Sequence, residues 1–139
     1  MECPFCNIKN TEIILCSSKN VVVIMSNPRL VPGHLLVVPK RHVEKVSELN
    51  SSERKELFDT CIEFQEQILK NISTGCDIKQ SDKPFLKQGR LKIDHIHFHL
   101  LPREFKDELY EKSQKFETDM FIDLTKEEIN KFSKLYFLD

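Results

Sequence analysis

Histidines alternate with apolar residues along His95-Ile96-His97-Phe98-His99-Leu100, and that period of two leaves the backbone few options. Successive side chains of a β-strand point to opposite faces, so the three histidines share one side and Ile96, Phe98 and Leu100 the other. The apolar side needs a core to cover it. A helix would scatter the same residues around its axis. The run therefore predicts a strand over about residues 91–101, and it gathers three of the chain's five histidines on one reactive surface. Imidazoles in such a row can serve as nucleophiles, acids, bases or metal ligands.

Other segments supply partners for that strand. Residues 12–16 and 20–26 read as strands joined by a turn at Ser17-Ser18-Lys19, and Val21-Val22-Val23-Ile24-Met25 has the β-branched content of a buried strand. Asn27-Pro28 and Pro32-Gly33 punctuate the loop that follows, and His34-Leu35-Leu36-Val37-Val38 reads as a third strand stopped by Pro39. Asn50-Ser51-Ser52-Glu53 forms a capping box ahead of a helix striped by Leu57, Phe58, Cys61, Ile62, Phe64, Ile68 and Leu69. Residues 71–89 have weak periodicity and read as irregular with room for a short strand, and 104–120 give no clear pattern. A last helix at about 125–137 opens at Thr125 and carries Ile129, Phe132, Leu135 and Tyr136 on one face. Strands broken by an inserted helix predict an α+β fold, an antiparallel sheet covered by helices.

A length of 139 residues suits one domain, 1–139, with a core that needs no disulfides. Lysine and arginine number 21 against 22 aspartates and glutamates, a net charge of −1, so no nucleic-acid partner is expected. No apolar run approaches the roughly 20 residues that span a bilayer, and Met-Glu-Cys-Pro lacks the basic and apolar regions of a secretory leader. A cytoplasmic protein without a membrane partner is the expectation. Five cysteines cannot all pair. Cys3 and Cys6 form a C-x-x-C pair suited to a metal, whereas Cys16, Cys61 and Cys76 read as isolated thiols.

The row His95-Ile96-His97-Phe98-His99-Leu100-Leu101 resembles the signature of the histidine triad (HIT) family of nucleotide hydrolases and transferases. Pro32-Gly33-His34-Leu35-Leu36-Val37-Val38-Pro39-Lys40-Arg41-His42 is similar to the family's second conserved block. With the cysteine pair, the resemblance covers residues 1–103. It implies the HIT-like fold, a homodimer, and cleavage at the α-phosphate of a nucleoside phosphoramidate or dinucleoside polyphosphate. The substrate implied is a purine nucleoside phosphate. His97 is implied as the nucleophile that forms a covalent nucleotidyl-histidine, His99 as its neighbour at the phosphate, and His34 as a residue that orients the rings. Zinc-containing members place a metal at positions that here are Cys3, Cys6, His42 and His95. Two thiolates and two imidazoles also make a closed tetrahedral set for structural Zn2+ on chemical grounds alone.

Two departures from the family bear on substrate. The Gln and small hydroxyl that precede the triad in many members are replaced by Arg90-Leu91-Lys92-Ile93-Asp94. Lys92 stands at the hydroxyl's position, able to neutralise phosphate but not to copy that hydrogen bond. Ser26 occupies the usual ribose-binding position, which makes the adjacent Asn27 the ribose candidate. Arg103 is a candidate phosphate contact or a solvent-facing arginine. Two alternatives stay open from the residues alone. One is a zinc-stabilised nucleotide-binding module without hydrolysis. The other is a catalytic zinc held by His95, His97 and His99.

Overall fold

The computed structural model describes residues 2–138, and its alternating and β-branched segments form five strands. These are β1 (Ile14–Ser17), β2 (Val21–Met25), β3 (Leu35–Pro39), β4 (Gly75–Lys79) and β5 (Phe98–Arg103). They make one sheet in the order β1-β2-β3-β5-β4, with every neighbouring pair antiparallel. All five residues of β3 are buried, because this central strand is covered on both faces. Helix α1 (Ser51–Asn71) lies against one face, where Leu57, Cys61 and Ile68 pack with Val21, Val23, Leu35, Val37 and Leu100. The opposite face, built on Val22, Ile24, Leu36 and Val38, is covered by Phe5, Ile8, Ile13 and Ile14 of the N-terminal segment.

The capping box at the start of α1 forms as the sequence predicts. Asn50 Oδ1 accepts from the Glu53 amide at 2.8 Å, and Glu53 Oε1 accepts from the Asn50 amide at 2.9 Å. Glu53 also pairs with Arg41 at 2.8 Å. That contact, with the Asn50 bond, lowers its carboxyl pKa to about 2.

The triad strand differs from the expected 91–101. Only Phe98–Arg103 pairs as a strand, so His95 and His97 lie just ahead of it. The cause is local. Strand β5 pairs with β3 at Leu35–Leu100, Leu36–His99 and Val37–Phe98. Farther along β3, the carbonyl of Pro39 accepts from His95 Nε2 at 2.7 Å instead of from a backbone amide, and the Ile96 amide turns to Val43 O at 2.8 Å. The alternation survives: Ile96 and Leu100 are in the core on the α1 side, and His99 shares a face with Leu36. Residues 12–13 form a 3-10 turn rather than strand. Within the poorly patterned 71–89, Gly75–Lys79 emerges as β4 along β5.

The chain divides into two compact units, Met1–Asp107 and Glu108–Asp139. The second contains α2 (Glu108–Lys112), a 3-10 stretch at Gln114–Met120 and α3 (Lys126–Leu135). Thr125 caps α3 by accepting from the Glu128 amide at 3.1 Å. Among the described residues no helix is long and apolar enough to cross a membrane.

Candidate active site

The face of the sheet away from α1 forms the floor of a cavity of about 670 Å3, to which Ile24, Leu36, His99 and Leu101 contribute. The N-terminal segment makes one wall through Phe5 and Ile8, and the loop before the triad another through Arg90, Leu91 and Ile93. His34, His97 and His99 all line this space. Gly33, at φ +81, makes the turn into β3 and is followed at once by buried His34. A left-handed residue is needed there, and glycine adopts it without strain.

Backbone groups fix which nitrogen of each ring carries the proton. The Leu30 amide donates to His34 Nδ1 at 3.0 Å, so neutral His34 holds its proton on Nε2. That nitrogen lies 2.9 Å from His99 Nδ1, which must then accept, leaving the proton of His99 on Nε2. His97 Nδ1 lies 2.8 Å from the His95 carbonyl, an acceptor only, so Nδ1 donates and Nε2 keeps a free lone pair. The ring of Phe5 meets His97 edge-on at 5.1 Å between centroids, and His97 meets His99 at 4.9 Å. Burial drives all three histidines toward the neutral form. His34 falls to about 4, through burial and then the charge of His97. His99 falls to about 3, through burial and then His97, His34 and Lys79. Burial also lowers His97, against the opposing effect of its bond to the His95 carbonyl.

Behind this row a second cluster forms. Cys3, Cys6, His42 and His95 bring one ligand atom each to within 4.8 Å of all the others. Nitrogen–sulfur separations are 3.4 Å (Cys3–His95), 3.3 Å (Cys6–His42) and 3.6 Å (Cys6–His95), and the two Nδ1 atoms of His42 and His95 lie 3.1 Å apart. Tetrahedral bonds of about 2.3 Å to sulfur and 2.0–2.1 Å to nitrogen require edges of about 3.5 Å and 3.3 Å. The residues fit a metal ion. His95 also has the support expected of a ligand: its Nε2 donates to Pro39 O at 2.7 Å, which leaves Nδ1 for the metal. A metal held by His95, His97 and His99 is not what the fold assembles. Among the described residues neither His97 nor His99 belongs to a metal-ligating group.

The remaining sequence candidates divide. Asn27 lines the cavity. Lys92 does not, and its ammonium is paired with Asp94. Arg103 also lies outside the cavity lining, held by Asp77 at 2.7 Å and by Asp107 at 2.7 Å. These two carboxylates raise its pKa above the ordinary range, the hydrogen bond to Asp107 contributing most. Both cations are therefore committed to intrachain carboxylates. Phe5, Lys79 and Arg90 line the cavity as well, without a sequence motif that points there. The signal for Lys79 was the alternation of Cys76 and Ile78, which puts Lys79 on the face opposite Ile78. Phe5 was marked only by its place between the two cysteines.

A family model described as the HIT domain matches residues 7–106. An uncharacterised HIT-like protein of Methanocaldococcus jannaschii is 32% identical over 106 residues, covering 73% of this chain and 78% of the relative. A bis(5'-adenosyl)-triphosphatase of Dictyostelium discoideum is 26% identical over 114 residues, covering 78% of this chain and 74% of the relative. Among solved structures, a Zn-bound histidine triad family protein of Mycobacterium smegmatis superposes with a TM-score of 0.65 at 23% identity, over 78% of this chain and 80% of its own.

Proposed function

This chain belongs to the HIT domain family, and on that premise we propose that it is a nucleotidyl hydrolase or transferase working at the α-phosphate of a nucleotide. The observation that carries the reading is the lone pair on His97 Nε2. The bond from Nδ1–H to the His95 carbonyl at 2.8 Å holds the proton on the other nitrogen. Burial keeps the ring neutral, and the ring borders a cavity large enough for a nucleotide. A name such as bis(5'-adenosyl)-triphosphatase among its relatives supports nucleotides as the substrate class. The candidate substrates are a nucleoside phosphoramidate and a dinucleoside polyphosphate.

In the first half-reaction His97 Nε2 bonds to the α-phosphorus as the bond to the leaving group breaks. The His97 Nδ1–H stays on the His95 carbonyl and shares the positive charge that forms on the ring. His99 Nε2–H donates to a phosphate oxygen, its orientation set through His34 by the Leu30 amide. In the second half-reaction a water oxygen bonds to phosphorus and the P–N bond returns its electrons to Nε2. The released proton goes to solvent. Asn27, on the cavity wall, serves the ribose hydroxyls. Cys3, Cys6, His42 and His95 would hold Zn2+, which would tie the N-terminal wall to the triad as a structural ion. The donor set and its spacing support zinc. Homodimeric assembly and cytoplasmic residence rest on the resemblance and the sequence alone.

Rapid acid-free quenching with α-labelled substrate tests the covalent step. Wild-type protein should carry acid-labile label, and His97→Ala should carry none while its metal content stays unchanged. Failure of the wild type to label with any substrate it turns over sinks the covalent route. One observation favours a second reading. The position of the family's small hydroxyl holds Lys92, already paired with Asp94, which is consistent with a binding module that retains nucleotide without turnover. Tight binding of a nucleoside monophosphate with no turnover of either substrate class would select it.

A further inference from the structure

Lys79 stands directly across from His99 in the β4–β5 ladder, so its side chain leaves the sheet on the same face as that ring. It lines the cavity, and so does Arg90 from the loop before the triad. Among the described residues no carboxylate forms an ion pair with either one. The contrast with Lys92 and Arg103, both committed to aspartates, is direct. Lys9 and Arg29 also line the cavity, and Glu2 is the one carboxylate among the described lining residues. Four cations facing one anion in a recess focus a positive field where the substrate sits.

The field bears on what can leave. A departing amine needs a proton delivered to nitrogen, whereas a departing phosphate needs counter-charge. His99 is the group positioned to deliver a proton, yet burial and the charges of His97, His34 and Lys79 hold it near 3. At neutral pH it has one proton to hydrogen-bond with and no imidazolium proton to give. Lys79 and Arg90 offer what a phosphate needs.

We infer that Lys79 and Arg90 form a subsite for the phosphates beyond the attacked one, so that the leaving group is an oligophosphate anion rather than an amine. The inference rests on the nucleotidyl-transfer reading and narrows its substrate. As the P–N bond to His97 forms, the bond from the α-phosphorus to the bridging oxygen breaks. That oxygen departs with the electron pair as a terminal phosphate oxygen, and its charge is met by Lys79 and Arg90 with no proton required.

Two substrates sharing adenosine test it: diadenosine tetraphosphate and adenosine 5'-phosphoramidate. They are compared with wild type, Lys79→Met, Arg90→Met and the double variant. Wild type should favour the oligophosphate in kcat/KM. Each variant should lose roughly tenfold to a hundredfold of that preference, the range of one charge-assisted hydrogen bond. In parallel, titration calorimetry compares ADP, AMP and inorganic tripolyphosphate. Wild type should bind ADP more tightly than AMP and should bind tripolyphosphate, and the double variant should lose both. Equal losses on the two substrates, or no change in either experiment, overturns the subsite. Should wild type turn over neither substrate yet keep a Lys79- and Arg90-dependent preference for ADP, hydrolysis fails and the subsite stands.

Discussion

Replacing His34 with alanine separates the ring-to-ring chain from mere packing, because the effect depends on pH in a direction that packing does not. At pH 7 the variant loses the bond from the Leu30 amide at 3.0 Å and the bond to His99 at 2.9 Å. Each contributes about 1 kcal/mol net, with more lost where a partner stays buried and unpaired, so the total is about 2–4 kcal/mol. Acid changes the balance. The folded-state pKa of His34, about 4, lies below the ordinary 6.5, so folding disfavours the charged ring. Its contribution to stability is complete above pH 6.5 and is lost as pH falls toward 4, where the folded state takes the proton too. At pH 4.5 the wild type has lost about 2–3 kcal/mol through this residue, while the alanine variant has no such group to titrate. The stability gap between the two should shrink to near zero across that window. Urea unfolding followed by circular dichroism at pH 7.0, 5.5 and 4.5 measures it. Metal bound at the cysteine–histidine cluster would be released by acid from both proteins alike and would cancel in the difference. A gap that stays constant between pH 7 and 4.5 would refute the neutral, backbone-fixed His34 and the proton placement on His99 derived from it.

Other perturbations have equally definite outcomes. Cys6→Ser removes a ligand lying 3.3 Å from His42 and 3.6 Å from His95; metal per chain by mass spectrometry should fall well below that of wild type, and the melting temperature should drop. Undiminished metal would disprove the four-residue site. Gly33→Ala forces a side chain into φ +81 with its Cβ 3.1 Å from Pro102 Cγ. It should cost about 1–3 kcal/mol in chemical denaturation and reduce kcat through displaced His34, whereas an unstrained variant of full activity would contradict the turn's role. Glu53→Ala breaks both the capping box and the Arg41 pair and should cost about 1–3 kcal/mol at pH 7. The wild type should lose that same increment as pH falls from the ordinary carboxyl pKa of 4.5 through about 2, which acid unfolding of both proteins can check.

Where local chemistry decided the backbone, the sequence could be read. The capping box Asn50–Glu53 and the β-branched run Val21–Met25 each announce their element, and both are found where expected. The start of β5 could not be read, because it depends on which group takes the Pro39 carbonyl, and that group is the His95 ring. Strand β4 is held by its pairing with β5 rather than by propensity, so its glycine and charges disguised it. In the second unit, Glu108–Lys112 and Glu111–Lys115 pair four residues apart at 2.8 Å and 3.6 Å, a helical spacing that the charged composition obscured. At the site, the metal-ligand set and the triad were visible as a pattern. The proton positions were not, since Leu30, His95 and Pro39 contribute backbone groups whose placement comes only with the fold.

The link from Cys3 to His95 joins residues 92 apart in the chain. A polypeptide emerging from the ribosome can form β1, β2, β3 and α1 long before His95 exists, so it is the link between Cys3 and the triad that must wait. Loop closure over such a span costs only slightly more than over half of it, and the delay is one of availability rather than of energy. The cavity is thus finished late, when the triad has been synthesised and Cys3 and Cys6 can meet His95. Until then Phe5 and Ile8 can already pack on Val22, Ile24, Leu36 and Val38, but the wall they make has no triad to face. Order of synthesis alone therefore sets when the recess closes.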